Sequence, residues 1–210
     1  MKELGARQRA LSTRAARDPA RRSSRLIFLA GFMGAGKTSV GRALARRLKC
    51  RFFDLDDLIV ARARRSIAQI FSEQGEAAFR RAETAALRRL LHELGPRQTA
   101  VIAVGGGAFI QPGIRALLRA SGAPVVFLQA SADELLARCK AQAAAAADGR
   151  PAPVRPLLRD QNQFRQLYEE RRLRYLEAEF HVSTSGRSIA QVAAEVARTV
   201  RSRNVAPEVR

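Results

Sequence analysis

Apolar residues along this chain follow two periods that take turns. Short runs at 26–30, 51–54, 100–104, 124–129 and 180–183 carry branched or aromatic side chains and are too short for stable helices, so they read as strands. Between them the spacing lengthens. Val40, Leu44 and Leu48 recur at every fourth residue, which places them on one face of a helix. Strands that alternate with helices predict parallel pairing through crossover helices, hence an α/β fold with a five-stranded parallel sheet covered on both faces. Helix punctuation agrees. Ser66 with Gln69 and Ser131 with Glu134 have capping-box spacing, Pro112 suits a first turn, and Gly95-Pro96 ends a long helix that begins near Gln74. The alanine run 143–147 reads as a helix end, and it leads into 148–156, where three prolines and a glycine predict a mobile loop.

Length and composition narrow the class. The chain has 210 residues, 47% of them apolar, enough for one core and a single domain. No apolar run approaches the roughly 18 residues of a membrane span. In the first 25 residues Lys2 and seven arginines outweigh Glu3 and Asp18, so +6 of the net +19 lies there. That segment lacks the apolar stretch of a secretory signal, its acidic residues suit a transit peptide poorly, and it is read as a disordered basic tail. With two tyrosines, no tryptophan and no interleaving of aromatic and basic residues, the remaining charge is read as arginine on solvated helix faces, serving small anions where it is concentrated. Nucleic acid is not the expected partner. Cys50 and Cys139 are read as buried free thiols of a reducing compartment. His92 and His181 have no metal-ligand spacing and are read as structural.

Residues 31–38, GFMGAGKT, fit the Gly-x-x-x-x-Gly-Lys-Thr phosphate loop at every fixed position and directly follow the first predicted strand. The glycines let backbone N–H groups turn inward onto phosphate oxygens, Lys37 can reach the outer phosphates, and the Thr38 hydroxyl suits Mg²⁺. Only four of the 38 basic residues are lysines. A chain that otherwise chooses arginine keeps lysine here.

Other polar residues gather around the predicted strand ends. Asp54 and Asp56 alternate along the second strand and should project to one side at its carboxyl end, one for a metal and one for a substrate hydroxyl; Asp57 should begin the next helix. The third strand runs into Gly105-Gly106-Gly107, which allow close backbone approach to an anion or a ring. In Phe164-x-x-Leu167-Tyr168-x-x-Arg171-x-x-x-Tyr175, Arg171 falls on the stripe that should face the core, where a guanidinium requires an anion. Arg80 has Glu83 one helical turn away to orient it. The two arginines together suggest a site for a substrate carboxylate.

These residues resemble the shikimate kinase family over about 26–200. The likeness includes the phosphate loop with Val40-Gly41-Arg42 after it, FFDLDD at 52–57, SIAQIF at 66–71, GEAAFRRAE at 75–83, the triple glycine, RPLL at 155–158, and Arg171-x-x-x-Tyr175. The resemblance implies a phosphate-loop NTPase-type, adenylate-kinase-like three-layer fold over 26–201, a mobile lid near 148–160, and tails at 1–25 and 202–210. It also implies transfer of the ATP γ-phosphoryl group to the 3-hydroxyl of shikimate, with one Mg²⁺, in a cytoplasmic monomer. Carried over residue by residue, Gly34, Ala35, Gly36, Lys37, Thr38 and Ser39 would bind ATP, with Arg155 reaching over from the lid. Thr38 and Asp54 would hold Mg²⁺. Asp56 would hold and deprotonate the hydroxyl, and Arg80, Gly106 and Arg171 would bind the acceptor's carboxylate and ring. Lys37, Asp56 and Arg155 form the implied catalytic set. The chain departs from the family where Arg64 replaces a common glycine, and where Ala103 and Val104 lack the hydroxyl often found before the triple glycine. The lid's alanine and proline content leaves open its register and whether Arg150 also contacts nucleotide. Two rival readings are a non-catalytic sensor of a small acid and a kinase for another small alcohol.

Overall fold

The computed structural model describes residues 25–95, 98–146 and 160–203. In chain order the elements are β1 (Arg25–Ala30), α1 (Lys37–Leu48), β2 (Arg51–Asp54), α2 (Leu55–Ala63), α3 (Ile67–Leu94), β3 (Thr99–Ala103), α4 (Pro112–Ser121), β4 (Val125–Gln129), α5 (Ala132–Ala146), α6 (Gln161–Tyr175), β5 (Phe180–Ser183) and α7 (Ile189–Arg203). The strands form one parallel sheet in the order β2-β3-β1-β4-β5. Residues 26–30 are all buried, as a central strand covered on both faces requires.

Sheet order and handedness together set the layers. The step from β1 to β2 runs one way across the sheet, whereas β2 to β3, β3 to β4 and β4 to β5 run the other way. Right-handed crossovers therefore place α1 on one face and α3, α4 and α5 on the opposite face. Helix α7 returns to pack on α1, where Val40 and Leu44 are buried and Leu48 is half-buried. The order changes direction around β1, between β3 and β4. A crevice outside the carboxyl ends of the strands opens at such a point.

The expected strands are present, with ends shifted by one residue at most. Ser66 and Gln69 form the full capping box, and Pro112 opens α4. Ser131 accepts Glu134 N at 3.3 Å, while the Glu134 carboxylate turns to Arg138 at 2.5 Å. The long helix expected from Gln74 joins the Ser66-capped segment as one element, kinked at Gly75, where φ is +78° and ψ 171°. The predicted lid up to 159, including Arg150 and Arg155, lies outside the described residues, as do 1–24 and 204–210.

Candidate active site

Local geometry of the loop after β1 leaves backbone donors available to an anion. Gly34 and Gly36 have φ of +80° and +85°, in the left-handed region that glycine occupies without strain. Ala35 N donates to Phe32 O at 3.2 Å and closes the turn. Gly36 caps α1 without a side-chain bond, so the first N–H groups of the helix face the loop with their positive dipole end. Lys37 folds back over it, donating to Gly31 O at 2.9 Å and Phe32 O at 3.0 Å. Ser39 is exposed in the first turn of α1.

Thr38 Oγ1 donates to Asp54 Oδ2 at 2.7 Å. These are hard oxygen donors, and they are too few to enclose an ion: among the described residues no cluster of three or more His, Cys, Asp and Glu is gathered. The pair fits Mg²⁺, which keeps waters and phosphate oxygens as its other ligands.

Asp54 and Asp56 do come together, for a different reason than strand alternation. Strand β2 stops at Asp54, which also caps α2 and accepts Asp56 N at 3.2 Å. The first helical turn folds Asp56 back over the strand end and leaves Asp57 exposed, 4.0 Å from Arg42. Burial, then the Asp54 carboxylate, push the Asp56 carboxyl above the usual range, against the pull of Lys37. A carboxylate held in this way is suited to accept a hydroxyl proton.

Gly105 and Gly107 have a neighbour in the space a side chain would fill, and Gly106 has the phosphate loop within ordinary contact of that space. A Cβ on Gly105 would lie 2.8 Å from Asp56 Oδ1 and 3.0 Å from Glu83 Oε1, one on Gly106 would lie 3.6 Å from Gly31 O and Met33 N, and one on Gly107 would fall on the Arg80 guanidinium, 2.6 Å from Nη2. The three glycines thus bring Asp56, the phosphate loop and Arg80 to consecutive positions of one turn. Arg80 Nη1 donates to Glu83 Oε2 at 2.7 Å, and its Nη2 and Nε donate to Glu76 Oε1 at 2.8 and 3.1 Å. Glu83 is 1% exposed. Burial pushes its carboxyl up by more than the Arg80 hydrogen bond pulls it down. Gly107→Ala should therefore force the Arg80 guanidinium off Glu83; on the expectation that Arg80 binds the acceptor, its KM should rise by about tenfold, as for loss of one charge-assisted bond, with little change in the KM for ATP. Steady-state kinetics with each substrate varied would check this.

Arg171, on α6, bonds to the Tyr175 hydroxyl, which meets the same turn. Its guanidinium lies 5.7 Å from the Phe32 ring centroid, and Phe32 packs edge-on against Phe164 and Tyr168 at 5.1 and 5.5 Å. Among the described residues no carboxylate supplies the anion that its core-facing position requires, and the buried Nε has no acceptor. Tyr175 O–H donates to Gly106 O, fixing the glycine turn to α6. Burial pushes the Tyr175 hydroxyl well above the ordinary tyrosine value.

The structure thus gathers Gly34, Ala35, Gly36, Lys37, Thr38, Asp54, Asp56, Arg80, Gly106 and Arg171 at the carboxyl edge of the sheet, while Arg155 lies outside the described residues. The sequence offered Glu83 only as a partner for Arg80. It gave no sign of Gln111, whose Nε2 donates to Glu83 Oε2 at 2.6 Å, because glutamine before a helix belongs to no motif.

The family profile described as shikimate kinase matches residues 33–201. The chain is 43% identical to the shikimate kinase of Geobacter sulfurreducens over 180 residues, covering 84% of this chain and 91% of the relative. It is 40% identical to that of Thermus thermophilus over 178 residues, covering 83% and 89%. Among solved structures, the shikimate kinase of Acinetobacter baumannii in complex with shikimate superposes with a TM-score of 0.72 at 31% identity, covering 86% of this chain and 94% of that one. A gluconokinase of Sinorhizobium meliloti, with a TM-score of 0.54 at 19% identity over 85% and 95% of the two chains, shares the fold alone.

Proposed function

The chain belongs to the shikimate kinase family, and we propose that it transfers the γ-phosphoryl group of ATP to the 3-hydroxyl of shikimate, a step toward the aromatic amino acids. The observation that carries this reading at the level of residues is the adjacency of two half-sites. Gly106 abuts Gly31 and Met33 of the phosphate loop, while its neighbours abut Asp56, Glu83 and Arg80. An acceptor resting on Gly106 has the polyphosphate loop as one wall and a carboxylate and a guanidinium as the others. That arrangement suits an anionic alcohol next to a nucleoside triphosphate.

The proposed steps follow from charge and position, since phosphoryl transfer asks the protein for alignment and electrostatic stabilisation more than covalent chemistry. Arg80 and Arg171 bind the shikimate carboxylate. Asp56 accepts a hydrogen bond from the 3-hydroxyl and takes its proton as the oxygen bonds to the γ-phosphorus. The bond from that phosphorus to the β–γ bridging oxygen breaks, and ADP leaves with the electron pair. Lys37, released from Gly31 O and Phe32 O, and Arg155 of the lid offset the negative charge gathering on the leaving oxygen. Mg²⁺, held by Thr38 and Asp54, supplies further charge neutralisation for the phosphates when bound. Ala35, Gly36 and Ser39 present loop and first-turn backbone to ATP. The lid excludes water that would otherwise compete for the phosphoryl group. We place the enzyme in the cytoplasm as a monomer, a reading that the non-disulfide thiols of Cys50 and Cys139 suit, since they fit a reducing compartment. No helix among the described residues is long and apolar enough to cross a membrane.

Purified protein with Mg-ATP should release ADP only when shikimate is added, with equimolar shikimate 3-phosphate by mass spectrometry. ADP release with gluconate and none with shikimate would overturn the acceptor, and binding of shikimate without turnover would overturn the enzymatic reading.

A further inference from the structure

We propose that Gln111 is a positioning residue for the acceptor's carboxylate: its side-chain amide holds Glu83 in the orientation that aims Arg80 into the site. This rests on the reading that Arg80 seats the shikimate carboxylate. Gln111 occupies the N-cap of α4, yet its side chain makes no capping bond. That position is ordinarily filled by Ser, Thr, Asp or Asn, whose short side chains bond back to the helix. Here the amide reaches across to α3, 28 positions away in the chain, and donates to Glu83 Oε2 at 2.6 Å and more weakly to Gly107 O at 3.4 Å. It joins three parts of the acceptor half-site: the helix carrying Arg80, the glycine turn, and the start of α4.

The need for this bond follows from what surrounds Glu83. Its Oε2 receives Arg80 Nη1 at 2.7 Å as well as Gln111, and its Oε1 lies against Gly105. The charged groups facing it are Arg80, itself shared with Glu76 on α3, and Asp56 on α2. Burial and Asp56 favour the protonated form of Glu83; Arg80 and Gln111 oppose them. Without the amide, a single guanidinium must hold a buried carboxylate that lies near a second one. Protonation of Glu83 then removes the anion that fixes Arg80, and Arg80 is free to follow Glu76 toward solvent.

Gln111→Leu keeps similar volume and removes the donor, and Gln111→Glu replaces the donor with a carboxylate. With Gln111→Leu the KM for shikimate should rise about 5- to 20-fold, at or below the low end of the roughly 10- to 150-fold of a lost hydrogen bond to a charged group because Gln111 acts through Glu83 and Arg80, with kcat within about threefold and the KM for ATP unchanged. The two variants should respond to pH in opposite senses. Acidification worsens the shikimate KM of Gln111→Leu, because Glu83 protonates more readily. It improves that of Gln111→Glu, because a proton shared between the two carboxylates restores a donor. A merely structural tie would lower the melting temperature and move both KM values together, without opposed pH trends, and that result would overturn the proposal. So would a folded Gln111→Leu with an unchanged shikimate KM while the wild type turns over. Absence of shikimate turnover in the wild type would instead overturn the parent reading, and this inference with it.

Discussion

Asp56→Asn should lower kcat by about 10²- to 10⁴-fold, the range expected when a positioned general base is lost, while the Kd for ATP changes by less than about twofold. The substitution keeps the shape of the side chain and a hydrogen-bond acceptor near the hydroxyl, so the acceptor can still bind. What disappears is the group that takes the proton as the oxygen attacks. The nucleotide side is spared because the loop carbonyls that hold Lys37, and the contact of Thr38 with Asp54, do not involve the Asp56 side chain. Single-turnover measurement of the chemical step and calorimetric titration of the nucleotide would separate the two effects; a kcat within tenfold of wild type would remove Asp56 from its proposed role.

The same variant should be more heat-stable than the wild type. Burial and the neighbouring Asp54 raise the Asp56 carboxyl in the folded chain above its unfolded value, so the folded state binds this proton more tightly. The stability it contributes is present below the unfolded value and is lost as pH rises through the folded one. At neutral pH the ionised group is therefore a net cost, which Asn removes. Without nucleotide or Mg²⁺, Asp56→Asn should melt higher than wild type at pH 7, with the difference shrinking as pH falls into the aspartate range. A lower melting temperature at pH 7 would mean that Asp56 is held by favourable contacts and is not strained for function. The expected pair of outcomes, less activity with more stability, is that of a site whose charge is placed for chemistry.

Much of this arrangement could be read from the chain because local rules and the tertiary fold agree. A buried central strand must be apolar throughout, as 26–30 are, and a phosphate loop needs glycine where φ is positive, as at Gly34 and Gly36. Capping by Ser66 and the stop at Gly95 follow from backbone groups that each helix end leaves unpaired. Reading failed where function depends on contacts across the fold. Asp54 ends a strand and caps a helix at once, so alternation along β2 gave the right neighbour by the wrong path. Gln111 meets Glu83 only after α4 and α3 pack, and no spacing rule encodes that. The anionic partner sought for Arg171 is absent among the described residues for a further reason: on the proposed function it arrives with the substrate.

Arg171→Leu tests that last point and carries the second large effect. Arg80 and Arg171 are proposed to share one carboxylate, yet the protein holds them in different states. Arg80 is fixed by Glu83 and Glu76, so removing it would strand Glu83 as a buried carboxylate and destabilise the fold as well as binding. Arg171 rests on Phe32 with its Nε lacking an acceptor. A leucine there loses no ion pair among the described residues; it gives up a hydrogen bond to the Tyr175 hydroxyl but extends the apolar stripe of Phe164, Tyr168 and Tyr175, so the melting temperature should change little. The acceptor loses one or more charge-assisted bonds, each worth about 1.5 to 3 kcal/mol, and its KM should rise by roughly 10- to 150-fold. The KM for ATP should be little affected, since Arg171 meets the phosphate loop at the Phe32 ring, whereas Lys37 is held by the backbone carbonyls of Gly31 and Phe32. Differential scanning fluorimetry with kinetics on both substrates would decide it. Equal weakening of shikimate and ATP, together with a fall in melting temperature, would make Arg171 a packing residue and leave Arg80 as the only cation proposed for the carboxylate.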